Sequence, residues 1–169
     1  MPAPTIEQVL AALDLITGAD GSARGAAKLS QLRANSNYFR WHLMAAGFNV
    51  LGDWDSPVMP IMLYLPGAIL RFSDACLARH VAIVVVGFPG CSLLTARARI
   101  CISAAHTKAD LDYSLRVLRQ VGQRTGCLYK RARPAAAPPL EAVLQGTGAA
   151  GRALLGGGAR RNGVVPSGA

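Results

Sequence analysis

The stretch from Val84 to Lys108, VVVGFPGCSLLTARARICISAAHTK, constrains the fold more than any other part of the chain. Val81 to Val86 is a short apolar, β-branched run that ends at Gly87, Pro89 and Gly90, the pattern of a buried strand running into a loop. Arg99 to Ala105 then alternates, with Arg99, Cys101 and Ser103 on one face and Ile100, Ile102 and Ala104 on the other, as a half-buried strand does. Thr107 followed by Asp110 predicts a helix N-cap with an acidic first turn, leading into Leu111, Leu115 and Leu118 on one face.

The elements before this stretch alternate less regularly. Thr5 with Gln8 has the spacing of a capping box, and Ile6, Val9, Leu10, Leu13 and Ile16 follow at helical spacing up to Gly18. A longer helix carries Leu29, Leu32, Phe39 and Leu43 as its apolar stripe, leaves Arg33, Asn35 and Arg40 off it, and stops at Gly47. Tyr38, Phe39 and Trp41 read as core and rim packing. Phe48 to Leu51 is strand-like, and Gly52 to Pro57 is dense in turn formers. Val58 to Tyr64 reads as a strand that Pro60 confines to an edge or bulges. Pro66-Gly67 opens a helix with Ile69, Phe72 and Cys76 on one face, ending near His80. Strands and helices mix without a βαβ repeat, so the expected class is α+β, a sheet of three or four strands with helices on one face.

Composition excludes several functions. Residues Arg131 to Ala169 are Ala/Gly/Pro-rich and lack any Phe, Tyr or Trp, so the segment 130–169 is expected to be a disordered basic tail beyond a short helix near Leu140 to Leu144. The formal net charge is +9, but about five of those charges fall in the tail with no aromatic residue to stack on bases, so no nucleic-acid partner is expected. Cys76, Cys91, Cys101 and Cys127 are scattered without a CxxC pair, which argues against a zinc site or a disulfide framework. Cys76 and Cys101 read as small hydrophobes on apolar faces. Asp14 interrupts the N-terminal helix, so no signal peptide is expected, and Val58 to Leu70, broken by Pro60 and Pro66, is too short for a transmembrane segment. P-loop and GxGxxG motifs are absent.

Three segments together carry a resemblance: NSNYFRWHLMAAGFNVLGDWDSPVMPIMLYLP, HVAIVVVGFP and ARARICISAAHTKADLD. Over roughly Thr5 to Tyr129 they resemble the C-terminal part of the catalytic subunits of the serine palmitoyltransferases. These are α-oxoamine synthases, pyridoxal-phosphate enzymes of the aminotransferase type I fold. The resemblance implies that residues 1–129 are the small C-terminal domain of such an enzyme, with its large cofactor domain absent from this stretch. It implies pyridoxal phosphate as cofactor, L-serine and palmitoyl-CoA as substrates, and condensation with loss of carbon dioxide to 3-ketodihydrosphingosine, the first step of sphingolipid biosynthesis. It further implies a dimer with a related subunit and a place at the cytosolic face of the endoplasmic reticulum.

One site residue carries over. Arg99 matches the arginine that holds the substrate carboxylate in this superfamily, and a planar fork of donors grips a carboxylate in a bidentate way. Alternation alone would make it a solvated strand arginine. Arg97, two residues earlier on the same face, reads as a structural or rim arginine. His106 reads as a hydrogen-bonded structural histidine before the cap. The lysine that anchors the cofactor has no counterpart, since Lys28, Lys108 and Lys130 lie outside the family's cofactor-lysine context. The loop Gly87-Phe88-Pro89-Gly90-Cys91-Ser92 replaces a Pro-Ala-Thr-Pro run and is expected to be looser for it. The resemblance therefore implies an acyltransferase fragment, inactive alone. The alternative is a non-catalytic protein that docks on a full-length family subunit.

Overall fold

A computed structural model describes residues 3–92 and 94–129. The tail, Lys130 included, lies outside them. The element order is α1 (Ala3–Thr17), α2 (Arg24–Ala46), β1 (Val58–Tyr64), α3 (Pro66–Leu77), β2 (Val84–Val86), β3 (Ala96–Cys101) and α4 (Lys108–Thr125). The three strands form one antiparallel sheet in the order β1-β3-β2, so the last strand in sequence is the central one. This is the α+β arrangement that the alternation implied, with three strands.

The strongest local signal gives the sharpest match. Thr107 caps α4 through a complete capping box: its hydroxyl accepts from the Asp110 N–H, and the Asp110 carboxylate accepts from the Thr107 N–H at 3.0 Å. The Thr107 hydroxyl also donates to that carboxylate at 2.6 Å, and this bond first, with the one from the Thr107 N–H second, holds the Asp110 carboxyl below its ordinary range. At the other end Gly126 closes the helix in the left-handed conformation.

β1 spans the residues its pattern predicted and lies at the sheet edge. The Leu51 N–H donates to the Pro60 carbonyl at 2.8 Å, so Pro60 turns its carbonyl, and with it its ring nitrogen, away from β3 and costs the ladder no bond there. The register irregularity falls between Met62 and Tyr64, not at Pro60. Phe48 to Leu51 forms only an isolated bridge, Val50 to Ile61, along that outer edge.

Helices α2, α3 and α4 pack on one face of the sheet. Phe39, Leu43, Phe48, Met59, Ile61, Leu63, Ile69, Phe72, Cys76, Ala98, Leu118 and Val121 make the core. Gly122 lets α4 approach: a Cβ there would lie 2.6 Å from the Phe48 ring, which itself meets Phe72 edge to face. Burial pushes the Cys76 thiol up to about 11, as a small core hydrophobe requires.

Several expectations change. β3 starts at Ala96 and ends at Cys101, three residues earlier at its start and four at its end than the alternation alone indicated, although Ile102 stays buried and Ser103 exposed. β2 is three residues long and half-exposed, not a buried strand, because it is the other sheet edge. Cys101 is exposed, since it shares the polar face of β3. α1 begins before Thr5, so the Thr5–Gln8 pair sits inside the helix and forms no cap. Its apolar stripe of Ile6, Val9, Leu10, Leu13 and Ile16 is 45–50% exposed. Leu29 on the first half of α2 is likewise exposed, whereas Asn35 and Arg40, which the stripe left outside, are buried in its second half.

Candidate functional site

The face of the sheet opposite the helices is open among the described residues, and Arg99 stands near its middle. Arg99 is exposed on β3, opposite Pro60 of β1 and Val84 of β2. It makes no hydrogen bond or ion pair with any described residue. A strand in the middle of a sheet cannot roll or fray as an edge can, so this guanidinium sits on a rigid base with its donors unengaged. Around it the open face carries Val58, Pro60, Val84 and Val86, so that none of these strand neighbours is a carboxylate that would compete with an incoming anion.

Arg97 shares this face two residues away, opposite Met62 and Val86. It is half-buried, and its Nε is shielded from solvent with no acceptor. The neighbouring loop makes hydrogen bonds within itself. The Cys91 N–H donates to the Gly87 carbonyl at 3.2 Å, and Thr95 and Ser92 bond through their hydroxyls at 3.0 Å.

The exit from β3 is fixed from behind. Asn35, 1% exposed on α2, donates from its amide to the carbonyls of Ser103 at 3.2 Å and His106 at 3.0 Å, and accepts from Gln31. The His106 Nδ1 accepts from the Ser103 N–H at 3.2 Å, which gives His106 the structural part expected of it. Arg40 donates to the Leu51 and Gly52 carbonyls at 2.8 and 3.1 Å and so staples the turn before β1 to α2. Sequence reasoning missed Asn35 and Arg40 because polar residues off an apolar stripe read as solvated. Their partners are backbone carbonyls about 70 and 12 residues away, which no local pattern reveals. A cavity of about 260 Å³ opens beside residues 80–83 on the helix side, with His80, His106 and Asp110 at its lining and Ile100 and Leu111 within, but Arg99 takes no part in it.

The described residues do not fit pyridoxal phosphate as a covalent ligand. Lys28 is exposed on α2, and Lys108 lies on the first turn of α4, paired to Asp112 at 2.7 Å. Neither stands on the sheet face of Arg99. The arrangement can therefore grip an anion, and no described lysine stands on that face to form an imine.

An antiparallel three-stranded sheet with helices on one face matches a known class. The sequence profile of the family described as "Aminotransferase class I and II" matches residues 2–118, and the chain belongs to that family. Within it the chain is similar to proteins with more specific names. It is 54% identical over 134 residues to long chain base biosynthesis protein 2a of Arabidopsis thaliana, covering 79% of this chain and 27% of the relative. It is 50% identical over 115 residues to serine palmitoyltransferase 2 of Dictyostelium discoideum, covering 68% and 24%. The chain thus spans about a quarter of the length of the curated relatives it matches. Among solved structures, a serine palmitoyltransferase from S. paucimobilis with a bound PLP–myriocin aldimine superposes with a TM-score of 0.53 at 24% identity, over 57% of this chain and 24% of that one. The serine palmitoyltransferase of Sphingomonas wittichii gives 0.55 at 16% identity, over 58% and 25%. These likenesses show the fold.

Proposed function

We propose that residues 1–129 are the small, carboxylate-gripping domain of a serine C-palmitoyltransferase. That enzyme condenses L-serine with palmitoyl-CoA to 3-ketodihydrosphingosine, coenzyme A and carbon dioxide. In this reading Arg99 takes the serine carboxylate, and pyridoxal phosphate, held by a lysine outside the described residues, supplies the carbanion-stabilising chemistry. The observation that carries it is Arg99 itself: a fork of donors without a partner among the described residues, on the central strand of the sheet, in a chain 50% identical over 115 residues to a relative named serine palmitoyltransferase 2. Gripping the carboxylate fixes the orientation of the amino acid's reacting bonds, which is how an arginine far from the anchoring lysine contributes to rate. The first step of sphingolipid synthesis and the cytosolic face of the endoplasmic reticulum follow from the resemblance. No described helix is long and apolar enough to cross a membrane.

The test is a chimera in which this chain replaces the matching 134 residues of the Arabidopsis thaliana relative. Serine-dependent release of coenzyme A from palmitoyl-CoA is expected, and Arg99→Ala is expected to lower kcat/KM for serine roughly 10- to 100-fold, the loss of a charged hydrogen-bond pair. A chimera that takes up pyridoxal phosphate yet releases no coenzyme A would overturn the reading.

The α1 stripe favours a second reading, in which the chain docks on a full-length family subunit as a non-catalytic partner. Five apolar side chains on one helix face, each about half exposed, form the kind of patch that marks an interface. Co-purification with such a subunit, lost in Leu10→Glu/Leu13→Glu, is expected on this reading. Capture that survives the double substitution counts against it.

A further inference from the structure

Three departures from regular structure fall at one place, where the end of β3 faces residues 80–83. The first is in the ladder. The Leu51 N–H donates to the Pro60 carbonyl and the Met62 N–H to the Asn49 carbonyl, so the main chains of Pro60 and Met62 face away from β3 at those groups. Their register partners Arg99 and Arg97 therefore turn N–H and C=O toward β2, and by alternation so does Cys101. Val84 and Val86 pair with the two arginines, but pairing stops there. Ala82 is the register partner that Cys101 lacks, and the Cys101 N–H and C=O bond to no described residue on that side.

The second departure is His80, a non-glycine residue at φ 59°. The His80 N–H donates to the Leu77 carbonyl at 2.9 Å and the Val81 N–H to the Cys76 carbonyl at 3.1 Å, a helix end whose left-handed position usually belongs to glycine. A histidine there costs stability, and its ring makes no hydrogen bond with any described residue. The third is the cavity of about 260 Å³ beside this segment, a space larger than the about 150 Å³ that admits a benzene ring. Buried Phe39, Ile100, Leu111 and Leu118 give it an apolar floor, and His80, His106 and Ser114 line it with polar groups. Cys101 lines it too. Its side chain shares the open face with Arg99, so what it presents to the cavity is its main chain. His106 accepts at Nδ1 from the Ser103 N–H, so its neutral ring keeps the proton at Nε2, free to donate.

These groups define a ligand. The missing rung asks for one carbonyl and one N–H, which an amide supplies. The floor asks for an aliphatic chain. An ammonium cannot accept from the Cys101 N–H or the His106 Nε2–H, and the Asp110 carboxylate at the lining repels an anion. An extended peptide residue paired with Cys101 would set its side chain on the open face, as Val84 does opposite Arg99, and leave the floor bare.

We propose that this cleft is a binding site for an aliphatic carboxamide. Its carbonyl accepts from the Cys101 N–H and the His106 Nε2–H, its N–H donates to the Cys101 carbonyl, and its chain lies on Phe39, Ile100, Leu111 and Leu118. His80 supplies a further polar contact, for which its left-handed position is kept.

The experiment titrates the full chain with hexanamide, followed through main-chain N–H resonances in ¹⁵N-correlated spectra. The Cys101 and Leu111 resonances are expected to move along one binding curve, and hexanoate and hexylamine to bind about tenfold more weakly. His80→Gly is expected to weaken hexanamide about fivefold while the melting temperature stays the same or rises, a split that a purely structural histidine would not give. Ser114→Leu, which fills the cleft, is expected to abolish binding, and Arg99→Ala to leave it unchanged. The proposal is overturned if hexanamide leaves the Cys101 resonance unmoved, if hexanoate binds as tightly, or if both His80→Gly and Ser114→Leu bind like the unaltered chain. Tighter binding of N-acetyl-L-leucine methylamide than of hexanamide also overturns it, in favour of a peptide, and loss of binding in Arg99→Ala would place the ligand on the other face of the sheet.

Discussion

At the scale of single residues, Gly122 decides how closely α4 approaches the sheet. The Phe48 ring occupies the space that a Cβ would need, and Leu128 closes in from the other side at 3.0 Å. Gly122→Ala is therefore expected to lower stability by about 1–3 kcal/mol, the usual cost of overpacking, measured as a fall in the denaturant midpoint with an unchanged m-value. No sequence pattern announces this glycine, because its partner ring is more than seventy residues away. Arg99 was legible for the opposite reason: its motif is local, and the alternation of β3 put it on the polar face that the structure finds open. Arg97 was legible as a position on the same face, but the shielding of its Nε was not.

Among the elements, those that carry their own punctuation were legible. α4 begins where Thr107 and Asp110 place it, and α2 stops at Gly47. Thr107→Ala removes the cap hydroxyl and is expected to cost about 1 kcal/mol in thermal or denaturant unfolding at pH 7. The pH dependence has a definite sign. Asp110 titrates lower in the folded chain than in the unfolded one, so its contribution is complete above the unfolded carboxylate value near 3.9 and is lost as pH falls through the folded value. The cost of Thr107→Ala should accordingly be smaller at pH 2 than at pH 7; an equal cost at both would show that the carboxylate takes no part in the cap. The Val81 to Val86 run forms a strand only over Val84–Val86, and the Phe48 to Leu51 segment forms only an isolated bridge. Both lie at sheet edges, where apolar, β-branched composition does not guarantee a ladder, and pairing depends on what stands beside them.

At the scale of the molecule, the sheet face of Arg99 and the α1 stripe are uncovered among the described residues. The fold class was readable from the mixture of patterns, whereas the exposure of α1 was not, since an apolar stripe tells which side seeks cover and not what supplies it. Leu10→Glu/Leu13→Glu should leave the denaturant midpoint of the chain within the range of neutral surface changes, about 0.5 kcal/mol, because no residue of α1 is buried. A large loss of stability would mean that the stripe is covered within the chain itself. The last described residue closes the fold in a particular place. The Tyr129 N–H donates to the Gly47 carbonyl at 3.1 Å, its hydroxyl donates to the Leu63 carbonyl at 2.9 Å, and its ring meets Tyr64 edge to face. The polypeptide therefore leaves the domain beside β1, two strands away from β2 and the Gly87 loop. A pull exerted at that point is borne first by this tyrosine clasp and the edge strand, so tension on the C-terminal end reaches the Arg99 strand only after the clasp has let go.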